Sequence, residues 1–268
     1  PLARKARIKT DNKNSSADKN GLNSDQWYEY WIKERFNWYQ KYGIKKQNLR
    51  IRKHSKDELA HYAKNCSDIE YKFPMGWSEL EGIADRQDFD LKQHEKYSGK
   101  DMKYFDEEKK EKYYPYVIEP SAGVDRATLA FLVDAFEEVA QNSKFKTQNH
   151  NSKVKTRKLG EIVLHLHPKL APYKVAILPL VKKDKKLLKV AKDLYNELKQ
   201  VWFVYYDETS SIGRRYRRQD EIGTPWCVTI DFDSIRDKKV TIRDRDTMKQ
   251  KRIKISEVRN YIAEKLSN

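Results

Sequence analysis

Strand-like and helix-like segments alternate along the last hundred residues of the chain. An apolar run at 175–180 is followed by the segment 186–199, whose leucines and valine recur at the spacing of one helical face. Further strands are predicted at 201–206, 226–232 and 240–243, and further helices at 216–221 and 255–266. Because such helices bury their apolar faces against a sheet, the alternation predicts a small α/β domain with a mixed sheet.

The part of the chain before residue 142 combines an aromatic helix, several strands and an apolar helix. The aromatic helix is predicted at 26–42, with Trp27 and Trp31 on one stripe and Gly43 ending it. Strands are predicted at 49–52, 68–71, 77–83 and 116–119, a short helix at 56–62, a polar surface excursion at 92–114 and a long helix at 126–141. The hydrophobic fraction of 38% is low, but 17 Tyr, 9 Phe and 6 Trp supply enough apolar area for a core.

Two polar, basic stretches lack any periodicity. Residues 1–23 are rich in Asn and Ser, and they bury too little apolar area to offset the entropy of ordering the chain. Residues 142–160 have the same character. We therefore expect a tail or loop at the start of the chain and a linker or loop at 142–160.

The formal net charge of +16 is concentrated in the second part of the chain. Residues 169–268 contain 24 Lys and Arg against 14 Asp and Glu, a net charge of +10, which leaves +6 for residues 1–168. A basic domain attracts polyanions, of which nucleic acid is the commonest. A solvated lysine-rich surface explains the same charge equally well, so charge alone leaves both interpretations open.

The cysteines and the apolar runs exclude several classes of protein. Cys66 and Cys227 are far apart and form neither a paired zinc motif nor a disulfide framework, which indicates a reducing compartment. No apolar run approaches transmembrane length, and the basic start of the chain lacks the apolar core of a secretory signal.

One segment, 116–126, ends a strand with an acid, a hydroxyl and a glycine and then begins a helix. Glu119 and Ser121 lie two residues apart, so on an extended strand they share a face. A carboxylate there can pair with an ammonium group, Gly123 lets a ligand approach the backbone, and Arg126 can bind phosphate or lie against a base. A strand, turn and helix with a structural salt bridge is the alternative.

A second segment, 76–86, carries two acids on a predicted strand. Glu79 and Glu81 would share a face, where a carboxylate pair beside a nucleotide can hold Mg²⁺ against phosphate oxygens. The alternative is a solvated strand face.

A third segment, 211–225, places four arginines around Tyr216 between two glycines. Arginine forks bind phosphate, and a tyrosine ring can stack on an unpaired base. A charged surface helix is the alternative here, with Asp220 and Glu221 as internal partners for some of the arginines.

These segments resemble glycyl-tRNA synthetase of the dimeric class II type. The resemblance is carried by WYQKYGI at 38–44, DELAHYA at 57–63, DIEYKFPMGWSELEGIADRQDFDLKQHEKYSGKD at 68–101, PYVIEPSAGVDRATLAFL at 115–132, LHPKLAPYKVAILPLVKK at 166–183, SIGRRYRRQDEIGTPWCVTIDFD at 211–233 and VTIRDRDTM at 240–248. It covers about 27–268 except for the basic stretch 142–160, and so many ordered blocks make chance agreement improbable.

The resemblance implies α/β and α+β folds in three parts. Residues 1–26 would be a basic polar tail or loop, 27–168 the C-terminal part of a class II catalytic domain with an antiparallel sheet, and 169–268 an anticodon-binding domain with a mixed sheet. It also implies a cytoplasmic aminoacyl-tRNA synthetase that uses ATP and Mg²⁺, with glycine and its tRNA as substrates.

The resemblance also implies a role for particular residues. Glycine would be bound by Glu119, Ser121 and Arg86. ATP would be bound by Glu79, Leu80, Gly123, Val124, Asp125 and Arg126. Glu79 and Glu81 would hold the metal, and Arg214, Arg215, Arg217 and Arg218 would contact tRNA. No residue is expected to transfer a proton, because positioning and electrostatics carry this reaction.

The family has two further class II signatures, one at the dimer interface and one with an arginine on the ATP α-phosphate, and neither is found in this sequence. Residues 1–26 match nothing in the family. We therefore expect no aminoacylation by this chain alone, whether it is a fragment that needs its N-terminal half, a piece of a split enzyme, or a non-catalytic RNA-binding paralogue. A homodimer is the other assembly that the family suggests.

Overall fold

The computed structural model describes residues 7–8, 23–139 and 160–267. The chain divides into two compact units, 1–134 and 135–268. Most of the predicted tail, 1–6 and 9–22, lies outside the described residues, and so does the predicted linker at 142–160 except for Gly160.

The first unit is built on an antiparallel sheet. Its elements are β1 (Arg7–Ile8), α1 (Ser24–Lys41), β2 (Leu49–Lys53), β3 (Asn65–Phe73), β4 (Gly76–Gln87), α2 (Phe89–Ser98), β5 (Tyr104–Asp106), β6 (Glu111–Tyr113), β7 (Tyr116–Ala122) and α3 (Val124–Ala135), with short 3-10 turns at Lys46–Asn48 and Lys56–Glu58. The strand order is β1-β7-β4-β3-β2, and every neighbouring pair is antiparallel. The antiparallel sheet predicted for this part of the chain is confirmed.

Helix α1 begins with a reciprocal cap and packs on the sheet. Asn23 accepts a hydrogen bond from the Gln26 backbone N–H at 2.9 Å, and the Gln26 side chain accepts one from the Asn23 N–H at 2.9 Å. The helix buries Trp27 and Ile32 in the same core as Ile83 of β4. This aromatic face is what the sequence pattern predicted.

A buried carboxylate links α1 to the centre of the sheet. Glu81 is 1% exposed and receives the Arg35 Nε at 2.6 Å and Nη2 at 3.0 Å. The Tyr39 hydroxyl also donates to it at 2.8 Å. Burial and the negative charge of Glu81 raise the pKa of Tyr39, so this hydroxyl stays a donor.

The second unit contains a mixed sheet, as predicted. Its elements are β8 (Phe136–Glu138), β9 (Ile162–Leu164), β10 (Val175–Pro179), α4 (Lys185–Leu198), β11 (Val204–Tyr206), α5 (Ile212–Glu221), β12 (Trp226–Ile230), α6 (Phe232–Asp237), β13 (Lys239–Asp244), β14 (Gln250–Lys254) and α7 (Val258–Ser267), with a 3-10 turn at Ile255–Glu257. The main sheet has the order β11-β10-β12-β13-β14; β10 is parallel to both β11 and β12, and the remaining pairs are antiparallel. Strands β8 and β9 form a separate antiparallel pair.

Helix α4 closes the core of the second unit. Asp184 caps it by accepting hydrogen bonds from the backbone N–H groups of Lys186 and Leu187. Leu187, Leu194 and other side chains of its inner face pack in one core with the interior of the sheet.

Several predicted elements have different bounds in the structure. The helix predicted at 126–141 ends at Ala135, because Phe136–Glu138 pair with Ile162–Leu164 instead. The polar excursion at 92–114 contains α2 and the hairpin of β5 and β6. Strand β14 and helix α6 were not predicted, since both are polar and short.

The two compact units divide between Asp134 and Ala135. Ala135, Leu166 and Ala171 form a small buried cluster within the second unit. The domain boundary predicted between residues 168 and 169 stays a prediction.

We expect Arg35→Ala to destabilise the first unit by about 2–3 kcal/mol, because it leaves the Glu81 carboxylate buried without its cation. Chemical denaturation followed by tryptophan fluorescence measures this loss. The control is Lys33→Ala, which removes an exposed cation from the same helix and should change stability by less than about 0.5 kcal/mol. Equal effects of the two substitutions would contradict the role given to Glu81.

Candidate functional site

The two faces of the first sheet differ in character. Helix α1 covers one face, where Tyr28 hydrogen-bonds Ser67 at 2.6 Å and Tyr39 donates to Glu81. The opposite face follows from the register, which pairs Ser121 with Gly82 and Gly82 with Asp68. Because directly paired residues project to the same side, this open face carries a row of polar groups.

A β-bulge in β4 separates the two predicted metal ligands. Ile69 pairs with Glu81 and Glu70 pairs with Glu79, so Leu80 is an extra residue on this strand. The bulge reverses the alternation, and Glu79 and Glu81 therefore project to opposite faces. The prediction that these two acids share a face is wrong, and with it their joint role as metal ligands, because both Glu81 oxygens are already bound by Arg35 and Tyr39.

Glu79 lies on the open face. A Cβ atom added at Gly82 would be 3.4 Å from the Glu79 Oε1 and 3.8 Å from the Asp68 Oδ1. The absence of a side chain at Gly82 thus leaves room beside an exposed carboxylate.

Glu119 and Arg86, two of the three predicted glycine-binding residues, are in direct contact. The Arg86 Nη1 donates to the Glu119 Oε2 at 2.9 Å, and its Nε and Nη2 donate to the carboxylate of Asp90. The Arg86 guanidinium also lies 4.0 Å from the centre of the Tyr62 ring. This arrangement fixes the guanidinium, and its hydrogen bonds lower the pKa of Asp90.

Ser121, the third of these residues, is exposed on β7, two positions after Glu119. The register pairs Glu119 with Ala84 and Ser121 with Gly82, so both face the open side above very small neighbours. Small groups beneath an acid and a hydroxyl leave a shallow polar recess.

The predicted ATP-binding residues also meet, at the start of α3. The Arg126 Nη1 donates to the backbone carbonyl of Glu79 at 2.8 Å, which joins β4 to the first turn of this helix. Gly123, Val124, Asp125 and Arg126 are all exposed. Leu80 differs, because its side chain is 2% exposed within the core and only its backbone can reach a ligand.

In the second unit, the main cavity lies at the carboxyl ends of the parallel strands. It has a volume of about 720 Å³ and is lined by residues that follow β10, β11 and β12: Leu180, Val181, Lys182, Lys183, Asp184, Glu208, Ser210, Arg215 and Phe232. The chain runs from β10 through α4 to β11 on one side, and β12 lies on the other side of β10. Ligands of open α/β sheets bind at such a reversal of strand order.

This cavity combines cations with an aromatic ring. Lys182 and Lys183 are exposed at its rim, and Phe232 is 52% exposed. Such a combination suits a phosphate beside a splayed base.

The four arginines predicted to contact tRNA have different environments. Arg215 is 2% exposed, and its guanidinium donates to the backbone carbonyls of Pro179, Asp207 and Leu180. Its prediction as an RNA contact is therefore wrong: it fixes the loops around the cavity. The spacing did not reveal this because Arg215 falls on the buried face of α5.

Two of the other arginines on α5 have side-chain partners. Arg218 is paired with Asp207 and donates to the Thr209 carbonyl at 2.8 Å. Arg217 pairs with Glu221 at 2.9 Å and is exposed, as is Arg214. Arg214 and Arg217 remain predictions as RNA contacts.

Sequence reasoning did not assign a role to several of these residues. Tyr62 lies in the quoted block 57–63, and Asp90 is four residues after Arg86, so both carried a usable signal. Phe232 carried none, because a lone aromatic residue after a strand is common in cores.

Comparison with known proteins agrees with this geometry. Residues 174–265 match the family described as "Anticodon binding domain". The chain is 51% identical over 241 residues to glycine–tRNA ligase from Clostridium acetobutylicum, covering 90% of this chain and 48% of the relative. The corresponding enzyme from Geobacillus kaustophilus is 50% identical over 243 residues, covering 90% and 49%. The resemblance to glycyl-tRNA synthetase is thus confirmed, and the chain spans about half the length of the curated relatives it matches.

A solved structure supports the fold class. Prolyl-tRNA synthetase from Cryptosporidium parvum, complexed with L-proline and AMP, matches with a TM-score of 0.58 at 17% identity, covering 91% of this chain and 47% of that one. This similarity shows the fold alone, and it confirms the predicted class II architecture. Among the described residues, no helix combines the length and apolarity needed to cross a membrane.

We expect Arg215→Ala to destabilise the second unit by about 2–3 kcal/mol, since three buried carbonyls lose their charged donor. The control is Arg214→Ala on the same helix, which removes an exposed cation and should cost less than about 0.5 kcal/mol. Thermal or urea denaturation monitored by circular dichroism measures both. Equal stability of the two variants would refute a structural role for Arg215.

Proposed function

We propose that this chain carries the glycine- and ATP-binding part of a glycine–tRNA ligase together with its anticodon-binding domain. The observation that carries the proposal is the open face of the first sheet. There an exposed hydroxyl, a paired carboxylate and guanidinium, and an exposed carboxylate lie over Gly82 and Ala84. The identity of about 50% to glycine–tRNA ligases over 90% of the chain supports the same assignment.

Glycine offers an ammonium group, a carboxylate and no side chain. In our proposal Glu119 and Ser121 bind the ammonium, while Arg86 orients Glu119 and is itself held by Asp90. A recess of this size disfavours larger amino acids sterically, which suits a substrate without a side chain.

Activation joins glycine to ATP. The glycine carboxylate attacks the α-phosphate, the bond to the β-phosphate breaks, and glycyl-adenylate and pyrophosphate result. A hydroxyl at the 3′ end of the tRNA then attacks the adenylate carbonyl and releases AMP. We assign Gly123–Arg126 to the nucleotide: the exposed first turn of α3 presents N–H groups to phosphate, and Arg126 reaches back to the Glu79 carbonyl.

Synthetases of this family generally use Mg²⁺ with ATP. Mg²⁺ sites of nucleotide enzymes use one or two carboxylates plus phosphate oxygens. Of the predicted pair, Glu79 fits this requirement, because it is exposed beside Gly82, whereas Glu81 does not. When bound, the ion would neutralise charge on the leaving pyrophosphate.

The second unit would bind the tRNA. In this proposal Lys182 and Lys183 attract phosphates, Phe232 stacks on an unpaired base, and Arg214 and Arg217 extend the basic surface. The net charge of +10 over residues 169–268 is consistent with this role. A function in protein synthesis would place the chain in the cytoplasm, as a homodimer or together with further synthetase segments.

We expect the chain to bind a non-hydrolysable glycyl-adenylate analogue, and Glu119→Gln to weaken that binding tenfold to about a hundredfold, since a charge-assisted hydrogen bond is worth about 1.5–3 kcal/mol. Isothermal titration calorimetry measures the affinity. Glu111→Gln, on the exposed strand β6, is the matched control and should bind as the parent does. The alanyl analogue should bind more weakly than the glycyl one.

Two results would refute this assignment. One is an analogue that fails to bind to the folded chain, and the other is binding that is indifferent to Glu119→Gln. ATP–pyrophosphate exchange with glycine then tests whether the chain also performs the chemistry.

We expect Lys182→Ala combined with Lys183→Ala to weaken binding of a glycine-accepting tRNA and to reduce the salt dependence of the affinity by about 2 in logarithmic slope. Fluorescence anisotropy at several salt concentrations measures both quantities. The control replaces Lys192 and Lys265, two exposed lysines away from the cavity, and so removes the same total charge. Equal losses in the two double variants would mean that the cavity does not direct binding.

A further inference from the structure

A cluster of three different ligand types lies where β2 and β3 pair. His54 follows the last residue of β2, and its backbone N–H donates to the Cys66 carbonyl at 3.0 Å, which sets the two residues side by side. Asp68 is two residues further along β3 and shares the face of Cys66. One ligand atom from each residue lies within 4.8 Å of the other two.

We propose that His54, Cys66 and Asp68 bind one zinc-type divalent cation. An imidazole, a thiolate and a carboxylate are a donor set that suits a borderline-soft ion, whereas Mg²⁺ and Ca²⁺ prefer oxygen ligands. Three protein ligands leave a fourth tetrahedral position for water or a substrate atom. This inference does not depend on the proposed function.

The surroundings of the cluster favour a site with fixed ligands. Asp68 is buried, while His54 and Cys66 are partly buried. The His54 Nε2 already lies 2.7 Å from the Asp68 Oδ2, so these two side chains converge before any ion enters. Because two adjacent strands supply all three residues, cation entry requires only small side-chain rotations.

One cation competes for the same carboxylate. The Arg52 Nε lies 3.8 Å from the Asp68 Oδ2, but Arg52 also pairs with Glu58 at 3.0 Å and with Glu70 at 3.5 Å. Its charge is thus shared among three carboxylates. A structural His54–Asp68 hydrogen bond alone accounts for two members of the cluster, and it does not account for the thiol in the third position.

We expect Co²⁺ to bind the full chain with a stoichiometry of one, under metal-free reducing conditions, and to give a thiolate-to-cobalt charge-transfer band in the near ultraviolet. Zn²⁺ should displace it. Cys66→Ser should abolish the band and weaken Zn²⁺ binding at least about tenfold, and His54→Gln should weaken binding similarly. The controls are Cys227→Ser, which removes the buried thiol of the second unit, and His94→Ala, which removes an exposed imidazole.

The absence of a charge-transfer band in the parent chain overturns the proposal. So does a band that survives Cys66→Ser or disappears in Cys227→Ser. If Cys66→Ser fails to fold, His54→Gln decides: unchanged Zn²⁺ affinity in that variant also refutes the site.

Discussion

The bulge at Leu80 determines what each face of the first sheet can do. A regular strand would place Glu79 and Glu81 on one side, either both beneath α1 or both in the open. The extra residue instead sends Glu81 under the helix, where Arg35 and Tyr39 neutralise it, and leaves Glu79 on the opposite face. One acid thereby anchors the helix and the other stays available to a ligand. The same register places Ser121 above Gly82, so the shape of the open face depends on where the bulge falls.

The second unit obtains its cavity from topology. Three parallel strands end together, and the chain leaves the central strand toward opposite sides, so the segments after β10 and β12 diverge. Divergent segments leave backbone carbonyls that have no strand partner. The Arg215 guanidinium satisfies three of them, and this explains why a cation is buried beneath a basic surface.

The sequence predicted most of the fold because its strands and helices carry regular apolar patterns. The aromatic face of α1, the apolar strand β10 and the inner face of α4 were all predicted from spacing. The end of α3 was not, because the pairing of Phe136–Glu138 with a strand more than twenty residues away is a tertiary effect. Short polar elements such as α2 and β14 have no apolar pattern to detect.

The candidate site was predictable only in part, for a related reason. Glu119, Arg86, Glu79 and Arg126 fall in blocks that resemble a known family, and the structure brings them to one face or edge. The roles of Glu81 and Arg215 depend on a bulge and on a buried helix face. Neither feature has a local signature, because both are fixed by which side of an element the core occupies.

The fate of the arginines changes how the basic character of the chain should be understood. In the described residues, guanidinium groups repeatedly meet carboxylates or backbone carbonyls, as in Arg243 with Asp220 and Arg252 with Asp231 and Asp237. Their forks are thereby used within the protein. The cations left exposed around the cavity are lysines, which act as point charges without bidentate geometry. Lysines attract phosphates without reading sequence, so discrimination among RNAs must come from the shape of the cavity and from the groups that contact the base itself.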